Sequence, residues 1–243
     1  MREVENFKDN VVMCLVNTEQ NREMLAGVPN RSFHDLSVIY RLILGTDQKG
    51  ILSTVIKNEL VEHVGMTEED LFQCAKENTR QLDPIVVVSM QKLFEDKFET
   101  LGLEPDMEEE LKQGSEVAES MWVIRNSSGI RGAVAMLYEE NLHKLAESVG
   151  SDLYILPASV DEVIAVSTEW KGKSAEEWAE TVYATNMSDL EPEERLSNNV
   201  YHYDKDLRKI TMATDVRDKS LNGEPVDFLS EEEPEIGEGY GGR

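Results

Sequence analysis

Residues 121–167 constrain the fold more than any other stretch: MWVIRNSSGIRGAVAMLYEENLHKLAESVGSDLYILPASVDEVIAVS. The apolar run at 122–125 stops at Asn126-Ser127-Ser128-Gly129, residue types that turn a chain. Residues 133–149 then place Val134, Leu137, Tyr138, Leu142, Leu145 and Ala146 at helical spacing, and Gly150 ends the pattern. Residues 153–156, closed by Pro157, and residues 163–166 are short and β-favouring, and are expected to pair antiparallel. A strand, a helix and two more strands in so short a span require a sheet with a helix packed on it.

The pattern continues on both sides. Ser174 with Glu176 and Glu177 behind it reads as a hydroxyl N-cap, with Trp178 and Val182 facing inward. Residues 200–203 and 209–213 read as a terminal hairpin. In the first half, residues 11–16 (VVMCLV) fit a strand or a helix continued from Val4 and Phe7, and period alone does not decide. Residues 19–26 suit a short helix, 36–44 a buried strand ended by Gly45, and 50–53 its hairpin partner. Residues 55–64 have helical spacing up to Gly65. Thr67, followed by Glu68, Glu69 and Asp70, caps a helix that runs to Asn78. Residues 85–88 suit a strand and 90–101 a helix. Thr67…Asn78 and Ser174…Asn186 look alike, which reads either as duplication or as the common way helices start and stop.

The expected fold is α/β of the α+β type: two small mixed-sheet halves joined by an acidic linker, the second half β-α-β-β-α-β-β. Residues 1–101 form the first half, 102–119 (GLEPDMEEELKQGSEVAE) the linker, 120–215 the second half, and 216–243 a disordered acidic tail. The chain of 243 residues carries a net charge of −25, which opposes contact with phosphate backbones and anionic membranes. A protein partner or self-association is the expected partnership, with no nucleic acid and no membrane. Cys14 and Cys74 form no Cys-x-x-Cys pair and are expected to be reduced. No apolar run reaches the roughly 20 residues of a membrane span, and the first ten residues lack an apolar leader core, so the expected location is the cytoplasm.

Motifs that carry chemistry are sparse. His34, His63, His143 and His202 do not share a helix-face spacing, and no Cys/His cluster has zinc spacing. Neither a cofactor nor a metal is expected. Ser89-Met-Gln-Lys92 matches a Ser-x-x-Lys pattern, and Ser197-Asn198-Asn199 loosely resembles its companion, but a Lys-Thr-Gly is missing, so a turn into a helix is the better reading. Gly129-Ile-Arg-Gly132, between a strand and a helix, offers backbone amides and Arg131 to an anion, although it lacks full Gly-x-Gly-x-x-Gly spacing. Asn126, Asn186 and Asn198 each end an expected element and are read as caps.

Several blocks resemble a bacterial domain of unknown function, the family numbered 5688. They are Trp122-Val-Ile-Arg-Asn126, Gly132-Ala-Val-Ala-Met-Leu, Ser151-Asp-Leu-Tyr-Ile-Leu-Pro157 and Leu196-Ser-Asn-Asn-Val-Tyr-His-Tyr-Asp204. Earlier in the chain, Pro29, Phe33-His-Asp-Leu36 and Ala75-Lys-Glu-Asn78-Thr are similar to its N-terminal half. The resemblance implies an intracellular bacterial α/β protein and no activity. It also implies a further segment before Phe7, which would make this chain a short member or a fragment. Three functional readings follow. A non-enzymatic protein-interaction module comes first. A small-ligand protein or enzyme with a site at the 126–132 turn comes second, with Asn126, Ser128, Arg131 and Ser159 as the binding residues. An acidic nucleic-acid mimic of a mobile element comes third.

Overall fold

A computed structural model describes residues 6–47, 50–101, 118–216 and 221. The expected linker (except 118–119) and nearly all of the expected tail lie outside the described residues. The fold is α+β, and all strand pairings among the described residues are antiparallel.

The first sheet is built on β3 (Leu36–Asp47). On one side it pairs β1 (Val11–Asn17); on the other it pairs β2 (Asn30–Phe33) and then β4 (Gly50–Val55). Residues 11–16 are therefore strand, because β3 supplies a full antiparallel ladder from Val11↔Leu42 to Asn17↔Leu36. The period of two sorts this run onto two cores. Val11, Met13 and Leu15 join the main core, and Cys14 and Val16 join a small one with Val28 and Ile39. The expected helix at 19–26 shrinks to α1 (Arg22–Leu25).

Two helices follow. Helix α2 (Asn58–Val64) ends at Gly65, whose φ of 68° is the left-handed conformation that stops a helix. Helix α3 (Glu68–Leu82) opens on a reciprocal capping box between Thr67 and Asp70 and passes Asn78 by a further turn. Strand β5 (Ile85–Ser89) and helix α4 (Met90–Leu101) match expectation. Ser89 Oγ accepts the Lys92 N–H at 3.2 Å, and Lys92 pairs with Asp96, so the Ser-x-x-Lys pattern is a helix start.

The second sheet has the order β10-β9-β7-β8-β6-β5. Its strands are β6 (Met121–Asn126), β7 (Leu153–Pro157), β8 (Val163–Ser167), β9 (Tyr201–Asp204) and β10 (Lys209–Met212), with β5 at one edge. Strand β5 precedes residues 102–119 in the chain yet pairs with β6 beyond them. Strands β6 and β7 flank β8, a split β-α-β arrangement. Helix α6 (Ala175–Ser188), with a Ser174–Glu177 capping box, covers one face through Trp178, Ala179 and Val182.

The single helix expected at 133–149 is two pieces, a 3-10 segment at Gly132–Leu137 and helix α5 (Glu139–Val149). Gly132 to Met136 are all buried, so this run has no polar face to place in solvent. It lies among β1, β6 and β8, and the chain bends at Tyr138, where φ is −95° and ψ is 85°. One main core takes side chains from both sheets, α2, α3, the 3-10 segment and α5.

Candidate functional site

The 126–132 turn is closed by its own side chains. Asn126, 4% exposed, donates from Nδ2 to the Ile130 carbonyl at 2.8 Å. Asp83, just past α3, accepts from Ser127 Oγ (2.8 Å), Ser128 N (2.9 Å) and Ser128 Oγ (2.5 Å). The Arg131 N–H donates to Asp161 Oδ1 at 2.6 Å, and the Asp161 N–H in turn donates to Ser159 Oγ at 3.0 Å. The turns 126–132 and 159–162 meet at Gly132. A Cβ there would sit 2.5 Å from the Asp161 carbonyl and 2.6 Å from Asn126 Oδ1, which only glycine avoids.

Asn126, Ser128, Arg131 and Ser159 therefore come together, as a ligand site would require. Asn126, Ser128 and Ser159 place polar atoms in the turns themselves. The Arg131 amide is also taken by Asp161, so it is not offered to an anion. The Arg131 side chain differs. Its residue is exposed. Burial pushes the Cys14 thiol up from its ordinary range, while the positive charges of Arg131 and Arg41 pull it down.

A second polar cluster joins the sheets. Asp35 follows His34 in the two-residue turn between β2 and β3, where His34 adopts a φ of 56°. Its carboxylate accepts from Ser197 Oγ (2.6 Å), Asn199 Nδ2 (3.0 Å) and the Tyr201 hydroxyl (2.5 Å). Burial first, then the Asp35 charge, pushes the Tyr201 hydroxyl well above its ordinary range, so it stays a donor. Residues 195–201 are all buried. Asn186 donates to Ser197 O (3.0 Å) and Asn198 Oδ1 (2.7 Å), and Asn199 Oδ1 accepts the Val216 N–H at 2.9 Å. Ser197 is fully buried with its hydroxyl on a carboxylate, a tether and not an accessible nucleophile. The asparagines read as caps do other work. Asn126 closes a turn, and Asn186, inside α6, holds the segment that runs beside it.

A groove of about 530 Å³ between Glu176, Glu180 and residues 212–216 contains none of the expected binding residues. No group of three His, Cys, Asp or Glu among the described residues is placed to hold a metal ion.

A family of unknown function, DUF5688, matches residues 1–205. The chain belongs to it. No curated protein and no solved structure matches the chain. The blocks that resemble DUF5688 contain Asp35, Asn78, Thr79, Ser197, Asn199 and Tyr201. These side chains fasten elements of the fold to one another. Asp35 carried no signal as a local motif, because its three partners lie more than 160 positions away.

Proposed function

We propose that this DUF5688 chain is a protein-binding module that takes an extended segment of a basic partner along the outer edge of β5. The observation that carries this reading is a strand edge without its usual protection. Edge strands offer unpaired N–H and C=O groups, and proteins blunt them with charged residues, prolines or bulges. Ile85–Ser89 (IVVVS) holds no charge and no proline and, among the described residues, pairs only with β6, in regular register. The Ser127 N–H reaches the Pro84 carbonyl. By antiparallel alternation, Val86 and Val88 then bond inward and Ile85 and Val87 direct their backbone groups outward. Val87 is 36% exposed, and Phe94 on the adjoining helix is 45% exposed. An added strand would gain backbone bonds from the first feature and apolar contact from the second.

Charge selects the partner. With a net charge of −25, two copies repel each other, whereas a cationic segment is attracted. Among the described residues no helix is long and apolar enough to cross a membrane. We place the protein in the bacterial cytoplasm, a setting that suits its two free thiols, Cys14 and Cys74. The test is affinity purification of the full chain from its host with wild type and Val87→Lys in parallel. The expected result is one stoichiometric basic partner with wild type, weakened by salt and lost with Val87→Lys. Equal recovery with the variant, or a wild-type chain that captures nothing, overturns the reading.

A further inference from the structure

The large apolar side chains that the fold leaves exposed are not scattered. Leu82 (51% exposed) ends α3, and Ile130 (55% exposed) stands in the 126–132 turn. With Val87 and Phe94 they belong to β5 or to segments joined to it. The others, Leu44, Leu52 and Leu207, lie on the β3–β4 and β9–β10 hairpins. Asp83 ties the first two together. It follows Leu82 directly, and its carboxylate accepts from Ser127 and Ser128, just ahead of Ile130. Both apolar side chains therefore stand at the end of β5 where the strand begins. The polar atoms of the turn are spent on bonds within the fold, and what the turn shows to solvent includes an isoleucine.

Register separates the two faces of the edge. Ile85 lies opposite Asn126 and Val87 opposite Ile124, so both share the face of the main core. Asn126 holds the Ile130 carbonyl from that same face. Val86 lies opposite Arg125 on the other face. The start of the edge also carries an acid. Asp83 accepts from hydroxyls and an amide, and among the described residues it forms no ion pair. A strand laid along β5 would thus meet apolar surface and a carboxylate on one face, and an arginine on the other. Covering half-exposed apolar groups and meeting a carboxylate with a cation both favour binding, whereas a cation beside Arg125 opposes it.

Granting the β5 edge as the docking strand, we infer that the segment it takes is of a particular pattern. Its apolar side chains alternate and lie over Val87 and the rim made by Leu82 and Ile130. A basic side chain four positions from one of them meets Asp83, which precedes Val87 by the same spacing. The side chains turned to the Arg125 face are uncharged.

The probe is the capped peptide Lys-Thr-Val-Thr-Val-Thr-Lys added to the full chain, with amide NMR shifts as the readout. A Lys at each end lets either strand direction place one beside Asp83. Its isomer Lys-Thr-Thr-Val-Val-Thr-Lys has the same charge and composition without the alternation. Wild type is expected to bind the first peptide with a dissociation constant of about 1 mM or tighter, moving the amides of Ile85, Val87 and Ile130, and the isomer at least about threefold more weakly. Leu82→Ser and Ile130→Ser, both at exposed positions, should each lose about threefold or more, as should Asp83→Asn, which keeps an acceptor for the serines. Val87→Lys should abolish binding. If Val87→Lys abolishes binding while Leu82→Ser and Ile130→Ser bind as wild type does, or if the isomer binds as well as the alternating peptide, the edge stands and the inferred pattern is overturned. If Val87→Lys binds as tightly as wild type, the edge itself is overturned. A wild type that binds neither peptide also overturns the pattern.

Discussion

At the outer edge of β1, Thr79 Oγ1 accepts the Met13 N–H at 3.0 Å and Asn78 Nδ2 donates to the Val11 carbonyl at 2.9 Å. Asn17, at the end of the same strand, donates to Leu196 O at 3.0 Å. At the outer edge of β5, no described residue takes the backbone groups of Ile85 or Val87. The two edges belong to one molecule and share one main core, so the difference lies in the sequence around them. Helix α3 brings polar side chains of the right length to β1. The segment after β5 is helix α4, whose Phe94 is exposed. A buried edge must have its polar groups satisfied, and on the β1 edge the Met13 N–H and the Val11 carbonyl are. Among the described residues nothing pairs with the outer edge of β5.

The comparison breaks first at the fastening between the sheets. Asp35→Ala removes one acceptor from three donors in or next to the core. It should cost about 3–5 kcal/mol in urea unfolding, since hydrogen bonds to a charged group are strong and their buried donors would be left unpaired. A loss below about 1 kcal/mol would mean that the sheets hold together without it. Thr79→Val keeps the side-chain shape and deletes only the acceptor for Met13 N–H, so a loss of about 1–3 kcal/mol is expected. Thr67→Ala and Ser174→Ala each remove one hydroxyl cap and should cost about 1 kcal/mol apiece in the same measurement. Val87→Lys should change stability by no more than about 0.5 kcal/mol, because the position is a partly exposed edge. The contrast between Thr79→Val and Val87→Lys is the comparison of the two edges in numbers.

Local chemistry was legible in the sequence. The hydroxyls at Thr67 and Ser174 announced helix starts because a cap is a contact over three residues, and Gly65 and Gly150 announced ends in the same way. The strands of the 121–167 stretch stood out because flanking turn residues bounded each apolar run. The break at Tyr138 did not stand out. Val134 and Leu137 fit a helical stripe, but Gly132 to Met136 are enclosed on every side, and enclosure is a property of neighbours. Strand β1 was ambiguous until β3 was known as its partner. Asn78 and Asn186 were visible as residues near helix ends, while their targets, a β1 carbonyl and the 195–201 segment, depend on tertiary packing. The turn at 126–132 was singled out as a candidate ligand site. Its polar residues are tied to Asp83 and Asp161, one beyond a different helix and one in a different turn, and those ties show only in three dimensions.

Glu139 gives the fold a modest acid dependence. Arg208 holds its carboxyl below the usual range; burial opposes this, and the Tyr203 hydroxyl adds a smaller lowering effect. A carboxylate depressed in the folded state adds stability above its unfolded pKa of about 4.3, and that stability is lost as pH falls through the lower folded value. Glu139→Gln should therefore flatten that part of the pH profile.

Amide hydrogen exchange along β1 and β5, with and without the captured partner, tests the central claim most directly. In the free protein the Met13 amide should exchange only on global opening, Val86 and Val88 should be slow, and Ile85 and Val87 should be fast. With partner bound, Ile85 and Val87 should slow to match their neighbours. If Ile85 and Val87 are already slow in the free chain, or stay fast in the complex, β5 is not the docking edge.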